Sequence, residues 1–375
     1  MTPYVFMMVF WLVIYYYLLY RTKDISENGM EIRKKTFVVL AGLGLLVIMG
    51  LRHEYVGVDT QTYLQLFHMS DSYEWKDFFT ISKGVSFMDL LDEERGFWFV
   101  CKLLRTLRVS DQMFLFLYGA AVTYMISSCI MKYCKNPFWG FYLMSTLGFF
   151  TMAMSGIRQT IAACILLFGI DCMIQKKPIR YILLTLLATS FHQSAIFSIV
   201  FYLIRNLRIN KTNGMIMAFI CATSILFQSF LTSILNYFIP KKFDNLYGLS
   251  SSKYLVNPMV ILIAILIPLF CLFFWEKHKL KDEQEIRAYS ICYLGSFCNV
   301  ITTVLSLSSI MIGRMSYYFM FYNVILLGNV ISDIEDRNTR YIASIFAVLL
   351  PGYMFFKSQS LGIAPYYFFW QTYGM

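Results

Sequence analysis

The stretch IRYILLTLLATSFHQSAIFSIVFYLI, residues 179–204, decides how this chain is threaded. It is apolar and long enough to cross about 30 Å of hydrocarbon once as a helix. Yet Lys176, Lys177 and Arg180 flank it on one side and Arg205, Arg208 and Lys211 on the other, so both ends carry the basic signature of cytoplasmic segments. A single crossing would also put residues 276–287, with Lys277, Lys279, Lys281 and Arg287, on the outside, against the same rule. A re-entrant hairpin breaking near Ser190-Phe191-His192-Gln193 removes both conflicts, and that arrangement is the one predicted for 179–204.

Working outward, apolar runs at 3–20, 36–51, 111–131, 137–155, 158–174, 213–238, 258–275, 288–310, 315–332 and 340–356 predict about ten transmembrane crossings. The first run has no basic residue before it, no small-residue cleavage site after it, and Arg21 and Lys23 directly following. It reads as a retained span. With the basic segment 21–35 inside, both termini lie outside. Segment 52–110, the Ser155-Gly156-Ile157-Arg158 turn, the tip at His192, the Gly313-Arg314 turn and the tail with Pro365-Tyr366 then fall on the extracytoplasmic side. Within 52–110, residues 96–109 read as an amphipathic helix. Phe97, Trp98, Cys101, Leu104 and Leu107 form one face and Lys102, Arg105 and Arg108 the other, as suits the outer membrane interface.

Composition agrees. The 375 residues are 58% hydrophobic and only 14% charged, where a soluble domain carries about a quarter charged. The fold class expected is all-α: one polytopic transmembrane domain over 1–375, surrounded by membrane lipids. The net charge of +10 is scattered through short segments between apolar runs, so it orients the chain and does not predict a nucleic-acid partner. The nine cysteines include no C-x-x-C pair, and most, such as Cys129, Cys164 and Cys221, sit inside apolar runs. No disulfide framework, metal site or cofactor is expected.

Few residues are left to carry chemistry. Arg52, His53, Glu54 and Asp59 follow an apolar span directly; Asp59 or Thr60 also suits a helix cap. Arg158 opens the apolar run after Ser155-Gly156-Ile157. There a guanidinium either snorkels to the headgroups or grips a phosphate or pyrophosphate in two-pronged fashion. His192, flanked by Gln193 and Ser194 in an apolar stretch, either joins helices by a hydrogen bond or acts as donor, general acid or general base to a substrate. Arg314 repeats the logic of Arg158, with Tyr317 and Tyr318 as belt residues or as a stacking face. Three Arg, one His and one Asp at a common depth, from segments far apart in a chain so poor in charge, point to a shared site for an anionic substrate approached from outside.

At these residues the sequence resembles the EpsG family, a branch of the Wzy-like capsular and exopolysaccharide polymerases. The matching elements are Arg52, Val56, Gly57, Asp59, Thr60 and Tyr63 of R-x-x-x-V-G-x-D-T-x-x-Y, then Glu94, Gly96 and Phe97 of E-x-G-[FY]. Ser155, Ile157, Arg158, Gln159, Ile161 and Ala162 match S-x-I-R-Q-x-I-A, and Phe191, His192, Ser194 and Ala195 match F-H-x-S-A. Arg314 with Tyr318 and a late Pro365-Tyr366 complete the set. Gln193 departs from the pattern's small residue or Pro, and the 64–93 loop is long and acidic.

The resemblance implies a GT-C-like fold in a bacterial cytoplasmic membrane with its site facing outside. The implied activity is a glycosyltransferase-type polymerase that moves a glycan from undecaprenyl pyrophosphate to a hydroxyl of another lipid-linked repeat unit. Arg52, Arg158, Gln159, Arg314, Tyr63 and Tyr318 would bind pyrophosphate or glycan. Asp59, Glu94 or His192 would take the acceptor's proton, unless Asp59 holds an Arg in place. A flippase and a chain-length regulator are implied as partners. The main rival, a flippase or exporter of lipid-linked oligosaccharide, predicts a polar route through the bilayer and often an inverted repeat; neither is visible in the sequence. A membrane acyltransferase fits the basic cluster less well, and an accessory subunit of an assembly complex would need no site.

Overall fold

The computed structural model describes residues 2–21, 26–78, 94–238, 258–274, 282–307, 310–357 and 362–372. In chain order its helices are α1 (Thr2–Tyr15), α2 (Glu27–Gly50), α3 (Thr60–Met69), α4 (Arg95–Thr106), α5 (Asp111–Tyr133), α6 (Pro137–Thr146) and α7 (Phe149–Ser155). There follow α8 (Ile157–Leu167), α9 (Gly169–Ile174), α10 (Pro178–Phe191), α11 (Ser198–Ile204), α12 (Lys211–Leu226), α13 (Gln228–Phe238), α14 (Pro258–Phe273), α15 (Glu283–Leu305), α16 (Ile310–Asp333) and α17 (Arg337–Lys357). No strand occurs among the described residues beyond one isolated bridge between Arg52 and Phe368. All-α structure follows from the solvent, because in hydrocarbon every main-chain N–H and C=O needs a partner within its own segment.

Among the described residues, five stretches are long and apolar enough to cross a membrane: Thr2–Tyr20, Asp111–Tyr133, Ile157–Ile174, Glu283–Leu305 and Arg337–Lys357. Several of the runs read as single spans are broken. The run 137–155 divides at Leu147-Gly148, where Gly148 takes φ +103, and 213–238 divides at Phe227. The amphipathic segment 96–109 is helical only to Thr106. Its apolar face is carried by Phe97 and Cys101, both buried, whereas Leu107 lies past the helix end and is exposed. Residues 79–93, most of the long acidic loop, lie outside the described set.

The chain forms two compact units. The first comprises Met1–Cys172, Lys177–Ile199 and Gly352–Met375. An aromatic knot holds its ends together: the Tyr4 ring meets Phe150, Phe355 and Tyr366 edge-on at 5.6, 5.8 and 5.4 Å. Here α10 stops at His192, whose main chain is extended, and a 3-10 turn, Gln193–Phe197, follows. The chain then doubles back. The Tyr181 hydroxyl donates to the Ser198 carbonyl at 2.9 Å, and the Thr185 and Ser198 hydroxyls are 3.2 Å apart. A continuous helix would hold Tyr181 and Ser198 roughly 25 Å apart.

The second unit, Met173–Lys176 and Val200–Pro351, is built around α15 and α16. Gly295 lets the two helices close up against Tyr322. Asn323 donates to Asn299, and Asn299 donates to the Ser316 carbonyl, both at 2.9 Å and buried. The Tyr289 hydroxyl donates to Asp333, and Arg208 pairs with Glu283.

Candidate functional site

The first unit gathers Glu94, Arg158, His192, Tyr63 and Phe97 into one cluster. Glu94 is its hub. Its main chain is left-handed (φ 46, ψ 44), an uncommon state for a residue with a side chain, and its carbonyl starts α4 by accepting from Phe97 N at 3.0 Å. The side chain does not cap that helix. It turns to α10, where Oε1 accepts from His192 Nδ1 at 2.7 Å and from Gln193 N at 3.2 Å, while Oε2 receives Arg158 Nη1.

Glycine makes this approach possible. A Cβ on Gly96 would overlap Ser190 Oγ and sit 2.9 Å from Ser190 Cβ and 3.0 Å from its carbonyl oxygen. The E-x-G pattern therefore has a packing reason: α4 touches α10 backbone-close two residues before His192, and Glu94, two residues before Gly96, lands on the imidazole.

Arg158 is the second residue of α8. Its guanidinium carbon lies 5.6 Å from the centroids of both the Tyr63 and Phe97 rings, favourable cation–π placements. Side-chain exposure falls from 27% at Arg158 through 13% at His192 to 8% at Glu94, so the cation forms the accessible edge and the carboxylate the floor. Burial alone would raise the Glu94 pKa. The His192 hydrogen bond, the Arg158 and His192 charges and Gln193 N outweigh it and hold the carboxyl below its ordinary value. An ionised carboxylate only accepts, so the hydrogen between the two groups sits on His192 Nδ1, and a ring that carries a single proton then offers Nε2 as a lone pair.

The remaining expected site residues are distributed as follows. Tyr63 and Gln159 are buried beside Arg158. Asp59 is exposed at the start of α3 and provides no side-chain cap; Thr60, next to it, donates its hydroxyl to Val56 O at 2.8 Å. Arg52 is fully buried. Its Nη1 donates to Met49 O at 3.1 Å and meets Met154 Sδ at 3.8 Å, and the Tyr118 ring lies 5.5 Å from the guanidinium. Arg314 and Tyr318 belong to the second unit, one turn apart on α16, with Tyr318 buried.

Two features escaped the sequence reading. One is the role of Glu94 as a shared acceptor for Arg158 and His192, which no spacing reveals across 64 and 98 residues. The other is the docking of the tail: His53 N donates to Tyr367 O at 2.9 Å, Phe369 N to Leu51 O at 3.0 Å and Gly57 N to Gly362 O at 2.8 Å. The late Pro365-Tyr366 was its only signal. Among the described residues no group of three or more His, Cys, Asp or Glu is placed to hold a metal ion.

Several apolar helices of spanning length, together with a partly enclosed Arg–Glu–His cluster in the first unit, define a multi-pass membrane protein with a polar site built from distant segments. The chain belongs to the EpsG family, whose model matches residues 35–373. That membership places it with membrane polymerases of exopolysaccharide synthesis, glycosyltransferase-like in activity. No curated protein and no solved structure matches the chain.

Proposed function

We propose that this protein polymerises lipid-linked repeat units at the outer face of a bacterial cytoplasmic membrane, transferring a glycan from undecaprenyl pyrophosphate to a sugar hydroxyl on a second unit. The observation that carries the reading is the Glu94–His192 pair with Arg158 at its accessible edge. The acceptor hydroxyl loses its proton to His192 Nε2 as its oxygen bonds the anomeric carbon. The bond from that carbon to the diphosphate breaks, and the diphosphate leaves with the electron pair. Glu94 orients the imidazole and stabilises the imidazolium, an arrangement worth on the order of 10²- to 10⁴-fold in rate. Arg158 meets charge developing on the leaving oxygen, where electrostatic stabilisation counts most.

In this scheme His192 is the base and Glu94 its partner, because both Glu94 oxygens are engaged and its carboxyl is held ionised. Arg314 and Tyr318 are assigned to the diphosphate or glycan on the family resemblance alone. The same reading takes the chain as crossing about ten times, with 179–204 as a hairpin whose two ends lie on the cytoplasmic side and whose tip at His192 reaches the outer side, and α4 in the outer interface.

The test is the glycan profile of a strain lacking the gene, complemented with wild type or Arg158→Ala at equal membrane levels. The expected result is accumulation of single repeat units on lipid carrier at the outer face. Accumulation at the inner face, or long polymer from the variant, overturns the reading.

A further inference from the structure

We propose that the tail segment 362–372 is a displaceable strap over a second anion site, whose cation is Arg52, and that a diphosphate anion, free or lipid-linked, opens it. The inference rests on the polymerase reading only for the source of that anion.

Arg52 is the most thoroughly buried cation described, and its Nε and Nη2 have no hydrogen-bond partner. No carboxylate pairs with it among the described residues. Tyr4, Tyr118 and Tyr366 lie within electrostatic reach, but their hydroxyl protons go to the carbonyls of Ile363, Ala153 and Ile48. A guanidinium taken out of water with two of its nitrogens unmet is costly, and the cost disappears when an anion arrives.

What covers Arg52 is the tail. Residues 367–369 pair with 51–53 as a short antiparallel ladder, with Arg52 facing Phe368. Phe368 stacks on Tyr366 edge-on at 5.0 Å and on Trp370 face-to-face at 4.6 Å, yet Trp370 itself is 60% exposed. The strap is thus one chain thickness, held by three main-chain bonds to the 51–57 loop and by the two tyrosine hydroxyls of Tyr4 and Tyr366. Beneath it, Arg52 touches Met154, and Met154 O lies 3.4 Å from the Thr60 hydroxyl, while Ser155 Oγ receives Val58 N at 3.3 Å. Opening the strap therefore exposes a cation that packs against Met154, in the segment that leads into Arg158.

The experiment is hydrogen exchange on the full-length protein in nanodiscs, following the amides of His53, Gly57 and Phe369. Inorganic pyrophosphate and undecaprenyl pyrophosphate are the two probes, against chloride at matched ionic strength. An anion that binds only the open form, at ten times its Kd for that form, raises the open population about tenfold, and exchange of those amides with it. Acceleration by either probe supports the strap. Acceleration by the lipid alone names a lipid-linked substrate as its key, and by inorganic pyrophosphate alone a free anion. Unchanged or slower exchange with both overturns it, as does an undiminished response in Arg52→Gln. Tyr366→Phe, which removes the bond to Ile48 O, is expected to raise exchange without any probe; no change there also overturns it. The polymerase reading fails separately: cells with Arg158→Ala that still make polymer refute that reading and leave the exchange result standing.

Discussion

Gly96→Ala puts the geometry of the site under direct test. The new methyl would overlap Ser190 Oγ and lie 2.9 and 3.0 Å from Ser190 Cβ and O. Carbon contacts relax at about 3.5–4.0 Å, so α4 must retreat from α10 by roughly 1 Å. The Glu94 Oε1 to His192 Nδ1 separation of 2.7 Å then passes out of hydrogen-bond range. A displacement of that size at a catalytic group costs on the order of 10²-fold in rate. Helix propensity works the other way, since Ala is about 1 kcal/mol better than Gly inside a helix, so lost activity cannot be blamed on a weaker α4. Overpacking itself costs about 1–3 kcal/mol. The assay is ladder formation from lipid-linked repeat units by purified protein in proteoliposomes, with thermal unfolding measured alongside. Ser190→Gly removes the opposing Cβ and hydroxyl, so the double variant is expected to regain most of the lost rate, a coupling that independent sites would not show. Wild-type rates from Gly96→Ala alone, or a double variant no better than the single, refute the reasoning.

Further expectations follow from the same contacts. His192→Ala should lower the polymerisation rate by about 10²- to 10⁴-fold and, because it strips buried Glu94 of a hydrogen bond, also lower the unfolding temperature; a rate near wild type removes His192 from the role of base. Because the Glu94 carboxyl is held below its ordinary value, its contribution to stability is fully present above the usual carboxylate pKa of about 4.3 and fades as pH falls through the lowered value. Thermal unfolding followed from pH 7 downward should show that loss in wild type and a shallower one in Glu94→Gln; identical profiles would discount the charge pairing. Gly57→Ala forces a side chain onto φ +100 and into the Met154 carbonyl oxygen. It should destabilise by more than about 1 kcal/mol and speed proteolysis of the tail, and a variant as stable and resistant as wild type contradicts the loop geometry.

Much of the architecture was legible because lipid leaves the backbone few options. Apolar runs such as 3–20 and 158–174 become helices wherever they stand, and the polar Ser190-Phe191-His192-Gln193 in an apolar stretch marks where α10 ends. Breaks that cost no charge were hidden: Gly148 at φ +103 interrupts 137–155 with nothing charged to announce it. For the site, sequence brought Glu94, Arg158 and His192 forward as candidates and left the choice of base open. That choice turns on which imidazole nitrogen faces the carboxylate, a fact of three-dimensional approach through Gly96. Arg52 shows the opposite limit, since proximity to an apolar span says that an arginine is unusual but not that Phe368 and Tyr366 will enclose it.

The buried amide chain from Asn323 through Asn299 to the Ser316 carbonyl acts as an index mark between α15 and α16. Shifting one helix past the other by a single turn, about 5.4 Å, would strip both amides of their partners in a medium with no water to replace them. Sliding is therefore locked out for this pair, whereas rocking the two as one body leaves every bond intact. Whatever motion accompanies turnover in the second unit, these helices travel together, and a change of register between them belongs to unfolding and not to the working cycle.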